Sequence, residues 1–449
     1  MTKNKLHEIS RTLIDRGYLS RLKYVHTDSS KGSWFYYEGK KWVEDCQKLH
    51  EVAIKSFYND HIEFKPTDAE YITDLPQLSA CQQWNNILRI TRTEPEISQV
   101  SEDFDAKLDL LNLENGTYDL AKEEFRGHSA KDMLTKLMGV EYNPEAKCAR
   151  FEQFMSEIFC GNTSVIGYLQ RYLGYCLSDS TTEQCFLFLY GSGSNGKSVL
   201  TELLYNIFGD YGMKISNQAI TYSRRGSERD RQEQIYSGLK GIRLTFATET
   251  GQNMKLDESA VKDMTGGESI TARELYASYE NYKPIFKFLM SGNYKPEITG
   301  TDLGIWRRIR LVSFNKTFKG DEIDPQLLDK LLNERDGIFL WILKGYHIWS
   351  RDGLGELPES IQEDIEDYRS DMDILGQYID ERLVQEKTAI TETETIYKDY
   401  RDWMEAGGYS KNVTKRKLTS ELMKRGFERD NSNIHKPKFI GIGLAAGMM

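Results

Sequence analysis

The apolar positions change period several times along the chain, and each change marks a different kind of element. Between residues 34 and 42, Trp34-Phe35-Tyr36-Tyr37-Glu38-Gly39-Lys40-Lys41-Trp42 sets aromatic runs on both sides of a Glu-Gly-Lys turn, the pattern of a β-hairpin. A second hairpin-type turn, Asn115-Gly116, follows the short apolar run Leu110-Leu111. From 145 to 180 the spacing turns helical, with Phe151, Phe154, Ile158 and Phe159 in one stripe and Ile166, Leu169, Leu173 and Leu177 in the next. From 183 to 315 short apolar runs alternate with helical patterns, which predicts a three-layer α/β domain. Helical spacing returns between about 320 and 375 at Leu327, Leu331, Phe339, Leu340, Ile342 and Leu343. In the tail, Thr414 to Arg425 predicts a helix whose apolar side is Leu418, Leu422 and Met423. A turn and strands from Phe427 to Ile442 follow, a helix-then-wing pattern. These shifts divide the chain into a small mixed region (1–100), a helical region (101–180), an α/β core (181–320), a helical lid or linker (321–378) and a winged-helix-like domain (379–449).

Length and composition narrow the class. A chain of 449 residues holds two to four domains, and a hydrophobic fraction of 39% implies modest cores under charged surfaces. No apolar run approaches the roughly 20 residues that cross a bilayer, and the N-terminal stretch has no apolar signal core. The expectation is therefore a cytoplasmic protein with no membrane partner. The six cysteines, at 46, 81, 148, 160, 176 and 185, form no C-x-x-C pair, and the seven histidines are scattered. That spacing argues against a zinc site and for reduced thiols. Asp103 and Asp105 form an Asp-x-Asp pair of the sort that holds metal in polymerase-type sites, but a solvated loop is the simpler expectation.

One segment carries explicit chemistry. Cys185 to Tyr190 reads as a buried strand that runs straight into Gly191-Ser192-Gly193-Ser194-Asn195-Gly196-Lys197-Ser198. The helical pattern Val199 to Leu204 comes next. This is the strand–loop–helix context that the G-x-x-x-x-G-K-[ST] phosphate loop requires. Gly191 and Gly196 let the backbone curl so that its N–H groups face phosphate oxygens, and the helix N-terminus adds partial positive charge. Lys197 is expected to reach the β- and γ-phosphates of ATP, and Ser198 to ligate Mg²⁺.

Three further segments supply the other parts of an ATPase. Ile242 to Glu249 reads as a strand ending in an acid, and Glu249 would orient the attacking water or help hold Mg²⁺. Thr248 stands where many such sites carry a second acid, so the division between metal ligand and base stays open. Phe288 to Asn293 reads as a strand ending in a polar residue suited to the γ-phosphate or the water. Trp306-Arg307-Arg308-Ile309 sets two arginines at the mouth of another strand, where a guanidinium can reach into a neighbour's site.

In this order the four elements resemble the superfamily 3 helicases, AAA+-like P-loop NTPases of viruses, phages and plasmids. The likeness is strongest to the primase-helicases of poxviruses and satellite phages. It extends to Leu113-Glu114-Asn115-Gly116, Tyr142-Asn143-Pro144 and Gln170-Arg171-Tyr172-Leu173-Gly174-Tyr175 before the loop. It also includes Lys262 to Arg273 between the acid and Asn strands, and Pro296 and Asp302 before the arginines. The resemblance covers about residues 100–320 strongly and the tail weakly. It implies a hexameric ring with ATP at subunit interfaces and single-stranded DNA in a central pore, and Asn293 as the first sensor. Arg308 is then the better finger, with Arg307 beside it. The family's pore hairpin falls between Ser269 and Phe286, making Arg273, Tyr276 and Lys283 DNA-contact candidates. About 100 residues precede the resembling region, short for the primase domain many relatives carry, so a primase is expected to be a separate protein, in a phage-type setting in a bacterial host.

The net charge of −10 requires DNA contacts to be local. Residues 411–438 form such an island, with nine Lys/Arg against three acids, net +6; Lys415, Arg416, Lys417, Lys424 and Arg425 are its helical members. Besides a replicative DNA helicase, the pattern admits an origin-binding initiator and a protein-remodelling ATPase whose pore aromatic would be Tyr276 or Tyr279.

Overall fold

The structure is a computed structural model describing residues 3–26, 32–63, 81–222, 228–250, 254–273, 279–298, 303–409, 413–430, 432 and 436–445. The chain divides into two compact units, Met1–Asp364 and Ile365–Met449. The division falls earlier than the 378/379 boundary expected from the sequence.

The first unit opens with the expected aromatic hairpin. Ser33–Tyr37 pairs antiparallel with Trp42–Glu44, Tyr37 opposite Trp42, and Gly39 takes φ +111° in the turn. Leu22–His26 and Ser98–Val100 complete a four-stranded sheet. Its core is Leu13, Leu22, Trp34, Ile54, Phe57 and Ile87. The aromatics thus build a β core, as Trp34 and Trp42 are 5% and 2% exposed.

Residues 101–180, expected as a helical region, are α-helical only from 149 on, and the hairpin-type turn read at Asn115-Gly116 joins two strands. The region begins with a three-stranded antiparallel sheet, Leu110–Leu113, Gly116–Asp119 and Glu124–Arg126. Gly116 earns its place by close packing as well as by its turn: a Cβ there would lie 2.4 Å from the Arg126 carbonyl. Asp105 accepts from the Thr135 amide at 2.8 Å and pairs with Lys136 at 3.0 Å, so its carboxylate is engaged by protein. Helices begin at Ala149–Ile158 and Thr163–Tyr175. The second, capped by Asn162, crosses the helix Arg335–Asp352 where both carry glycine. A Cβ on Gly174 would sit 2.0 Å from the Tyr346 amide nitrogen, and one on Gly345 1.9 Å from the Gln170 carbonyl. Only glycine permits that approach.

The α/β core is a five-stranded, all-parallel sheet. We number its strands β1 (Phe186–Tyr190), β2 (Gly212–Ile215), β3 (Leu244–Thr250), β4 (Lys287–Gly292) and β5 (Ile309–Ser313). Their spatial order is β5-β1-β4-β3-β2. β4 is buried throughout, as a parallel strand covered on both faces must be, which is why its sequence reads as a continuous apolar run. The helix Lys197–Phe208 buries Leu200, Leu203, Leu204, Ile207 and Phe208 at i, i+3, i+4, i+7 and i+8. β1 therefore lies inside the sheet with its carboxyl end flanked by those of β4 and β5. In open α/β sheets that edge is where ligands bind.

The second unit pairs Leu383–Glu392 and Glu428–Asp430 with the central strand Lys438–Leu444. Against this sheet pack the helices Thr393–Ala406 and Lys415–Lys424 around Ile396, Tyr400, Leu418, Leu422 and Phe439. The tail helix begins at its Thr414 cap, whose hydroxyl accepts from the Lys417 amide. No described helix is long and apolar enough to cross a membrane.

Candidate functional site

Strand register brings the sequence-predicted groups to one edge. Tyr190 of β1 is level with Gly292 of β4 and Ser313 of β5, and Gly292 is level with Thr250 of β3. Gly191, Asn293 and the backbone of Glu249 therefore gather at the carboxyl ends of adjacent strands. A register irregularity between Thr248 and Thr250 sets Glu249 apart from the regular ladder. The side chain of Glu249 and all of Tyr276 lie outside the described residues.

The loop after β1 is shaped by its own side chains. Gly196 holds φ +88° as the residue before the helix, and a Cβ there would meet Ile158 Cγ2 at 2.8 Å. At Gly191 a Cβ would meet Asn195 Nδ2 at 2.5 Å and the Phe314 carbonyl at 2.8 Å. Asn195, buried, donates to the Ser192 carbonyl at 3.1 Å and accepts from Lys197 Nζ at 3.0 Å. Lys197 also donates to the Gly191 carbonyl at 2.6 Å. Burial alone pushes its ammonium below the ordinary lysine pKa. Among the described hydrogen bonds, none is donated by the backbone amides of Ser192, Gly193, Ser194, Asn195 or Gly196. Ser192, Gly193, Ser194 and Ser198 are exposed. A helix N-terminus, a run of undonated amides and a lysine together fit a polyphosphate. Ser198 is exposed in the first turn of that helix.

Beside the loop lies a pocket that periodicity did not reveal. Phe159, Asn162, Val165, Ser313, Asn315 and Ile361 line it, from the end of helix Ala149–Ile158, the end of β5 and the start of helix Glu359–Met372. Phe159 stands edge-on to Phe314 at 5.0 Å, tying this wall to the turn at Gly191. Its residues are dispersed over 200 positions of sequence, so no local motif announces it.

The two arginines stand at the other edge, since Ile309 is level with Phe186 at the amino end of β1. The two differ in exposure and in partners. Arg308 is 7% exposed, and its guanidinium donates to Thr265 Oγ1 at 3.0 Å and to the Gly304 carbonyl at 2.6 Å. The Arg308 guanidinium is thus engaged within its own chain. Arg307 is exposed and donates to Gln184 Oε1 at 3.0 Å.

The expected hairpin is present as Ile270–Ala272 paired with Glu280–Tyr282. Arg273 donates to the Tyr279 hydroxyl at 3.1 Å, and Lys283 is exposed just past the second strand. In the tail helix the five cations separate. Lys415 pairs with Glu394, Lys424 with Glu421 and Arg425 with Asp373, while Arg416 and Lys417 are exposed with no ion pair among the described residues.

Two cations that the sequence reading passed over lie buried at the amino edge. Lys287, which opens β4, is 3% exposed; its ammonium donates to the Ser178 carbonyl and, at 3.0 Å, to that of Ile285, and lies 4.6 Å from the Tyr175 ring centre. Burial lowers its pKa to about 7. Arg243, adjoining β3, donates to the carbonyls of Leu177 and Leu108. A lone lysine inside the apolar run Ile285 to Met290 was the available signal, since lysine is buried only when paired.

Residues 17–160 match the family model described as D5 N terminal like, and residues 370–436 the one described as Poxvirus D5 protein-like. The chain carries D5-type domains. Between them, residues 189–308 match a family of unknown function, DUF5906. Among curated proteins this chain is 25% identical over 455 residues to "Putative helicase L207/L206" of Acanthamoeba polyphaga mimivirus, covering 91% of this chain and 46% of that protein. It is 26% identical over 294 residues to "Putative primase C962R" of African swine fever virus, covering 60% and 29% respectively. The chain thus spans less than half the length of these relatives. Both come from viruses of eukaryotes, and neither bears on the bacterial host expected from the sequence. The fold is shared with the apo structure of the NrS-1 C terminal region, at TM-score 0.54 and 11% identity over 96% of this chain and 99% of that one. A second structure of that region gives TM-score 0.53 and 13% identity, covering 99% and 100%.

Proposed function

We propose that this D5-type chain is the motor of a replicative DNA helicase, a P-loop NTPase of superfamily 3 that hydrolyses ATP with Mg²⁺ and works as a hexameric ring on DNA. The observation that carries the reading is the convergence of Lys197, its amide-lined loop, Asn293 and the backbone of Glu249 on one edge of a parallel sheet.

In this reading the loop amides and Lys197 take the β- and γ-phosphates, with Lys197 exchanging its bond to the Gly191 carbonyl for phosphate oxygens. The base enters the pocket beside Phe159 and Asn162. Ser198 would hold Mg²⁺, which would supply neutralisation of phosphate charge. Glu249 accepts a proton from the attacking water, and Asn293 fixes that water or the γ-phosphate. Arg307 of one subunit reaches the ATP of the next. Arg273 and Lys283 contact single-stranded DNA in the pore, and the winged-helix-like second unit adds duplex contacts through Arg416 and Lys417. A separate primase is a candidate partner.

The test is ATP turnover with and without single-stranded DNA, on protein sized by native mass spectrometry, followed by strand displacement. DNA-stimulated turnover with unwinding by a ring is expected. Turnover stimulated by DNA without strand displacement favours an initiator, and turnover indifferent to DNA favours protein remodelling.

A further inference from the structure

The two arginines at the amino edge are both fastened to the same short segment, the last turn of the helix Glu258–Gly266. Arg308 reaches it directly, through Thr265 Oγ1 at 3.0 Å. Arg307 reaches it through an intermediary. Gln184 Oε1 accepts from Arg307 Nη2 at 3.0 Å, and Gln184 Nε2 donates to the Gly266 carbonyl at 3.4 Å. The glutamine amide is thus oriented by both of its ends: the oxygen faces the only kind of group guanidinium can be, a donor, and the nitrogen faces an acceptor.

One more feature marks Gln184 as held in a defined conformation. Its φ is +47°, the left-handed region that a residue with a Cβ avoids and glycine prefers. Just beyond Gly266, Gly267 turns the chain at φ +73° and leads into Ile270, the start of the hairpin Ile270–Tyr282. The bond network therefore joins the helix end that leads into that hairpin to an exposed guanidinium.

We propose that Gln184 is a positioning residue that aims Arg307 and ties its orientation to the base of the hairpin. The proposal rests on the reading of Arg307 as the group that completes a neighbouring subunit's site. An exposed arginine has many rotamers, and a finger acts only from one of them. Fixing one Nη on a protein acceptor removes most of that freedom and leaves the remaining donors for the phosphate. Because the hairpin base holds the other end of the amide, a shift of the hairpin on DNA moves Arg307 with it.

The test uses the full chain and four variants: Gln184→Ala, Gln184→Gly, Arg307→Ala and Gln184→Ala/Arg307→Ala. ATP turnover is read with and without single-stranded DNA, alongside KM and thermal melting. Arg307→Ala should cut kcat by about 10³-fold or more. Gln184→Ala should cut kcat by roughly 10–100-fold, the usual effect of removing a group that orients another, with KM for ATP little changed and DNA stimulation reduced. Gln184→Gly is the control for a structural role: it suits φ +47°, so it should melt at or above the wild-type temperature while losing kcat like Gln184→Ala. The double variant should be no slower than Arg307→Ala alone, since the glutamine acts through the arginine. Full turnover in Arg307→Ala would overturn the finger reading. Loss in Arg307→Ala with wild-type kcat in both Gln184 variants would overturn the role of Gln184 and leave the finger standing. Additive losses in the double variant would overturn it too.

Discussion

Two buried lysines sit at opposite ends of the same sheet. Lys197, at the carboxyl edge, is 5% exposed, and Lys287, at the amino edge, 3%. Both ammonium groups bond protein oxygens, and burial lowers both pKa values. They differ in what surrounds the bonds. The partners of Lys197 belong to a loop with exposed residues and a run of amides that bond nothing described. Those of Lys287 are the Ile285 carbonyl on its own segment and the Ser178 carbonyl just beyond the helix Thr163–Tyr175, where a cation also meets the negative end of the helix dipole, and the Tyr175 ring lies against it. On the proposed reading, a buried charge beside replaceable partners is the one that meets a ligand. A buried charge with every direction filled marks a joint.

Mutating each lysine separates the two roles most sharply. Lys197→Ala should reduce ATP hydrolysis to background, since it removes the phosphate-facing charge, while the melting temperature stays close to wild type. Lys287→Ala should do the reverse in emphasis. It leaves the Ser178 and Ile285 carbonyls without their donor and opens a cavity, for a loss of about 2–4 kcal/mol of stability. Urea unfolding measures it. Near-normal turnover in the first variant, or an unchanged unfolding midpoint in the second, would erase the contrast.

The carboxyl edge was legible in the sequence because its chemistry is local. Eight consecutive residues carry the loop, and the strands before Asn293 and Glu249 announce themselves by apolar runs. The amino edge was not, because its bonds join distant positions: Lys287 to Ser178, Arg243 to Leu108, Arg307 to Gln184. The choice between Arg307 and Arg308 shows the limit. Adjacent identical residues carry the same local signal, and only the packing against Thr265 and Gly304 separates the buried one from the exposed one. In the same way, the apolar stripes of helices Ala149–Ile158 and Thr163–Tyr175 were readable, yet the short strands from Leu110 to Arg126 ahead of them were absorbed into a region expected to be helical.

The pH dependence of stability sharpens the comparison further. Lys287 titrates near 7 when folded and near 10.5 when unfolded. Below about pH 7 it is protonated in both states, and the full cost of burying the charge is present. Between 7 and 10.5 the unfolded chain binds more protons, so this residue's contribution raises stability with pH, by at most about 1.4 kcal/mol per unit. Lys287→Met, which does not titrate, should flatten that rise. Unfolding midpoints from pH 6.5 to 9.5, compared between the two proteins, check it. Parallel profiles would show that Lys287 keeps an ordinary pKa.

The smallest expected effect lies in the tail helix, where the same distinction between engaged and available cations applies at the surface. Arg425 is joined to Asp373, and that carboxylate also caps the next helix at Gly376, so Arg425→Ala should mainly loosen the second unit. Lys415 and Lys424 spend their charge on Glu394 and Glu421, although exposed pairs of this kind are weak and exchange readily. Arg416 and Lys417 have no such pair among the described residues, and the proposed function gives them the phosphates. Each phosphate contact releases close to one counterion, so the double variant Arg416→Ala/Lys417→Ala should lower the slope of log affinity against log salt by about 2. Duplex binding should weaken uniformly across sequences, with ATP turnover unchanged. Fluorescence anisotropy over a salt series measures this. An unchanged slope would mean that the basic island faces solvent, and that whatever DNA the chain binds is held by the first unit.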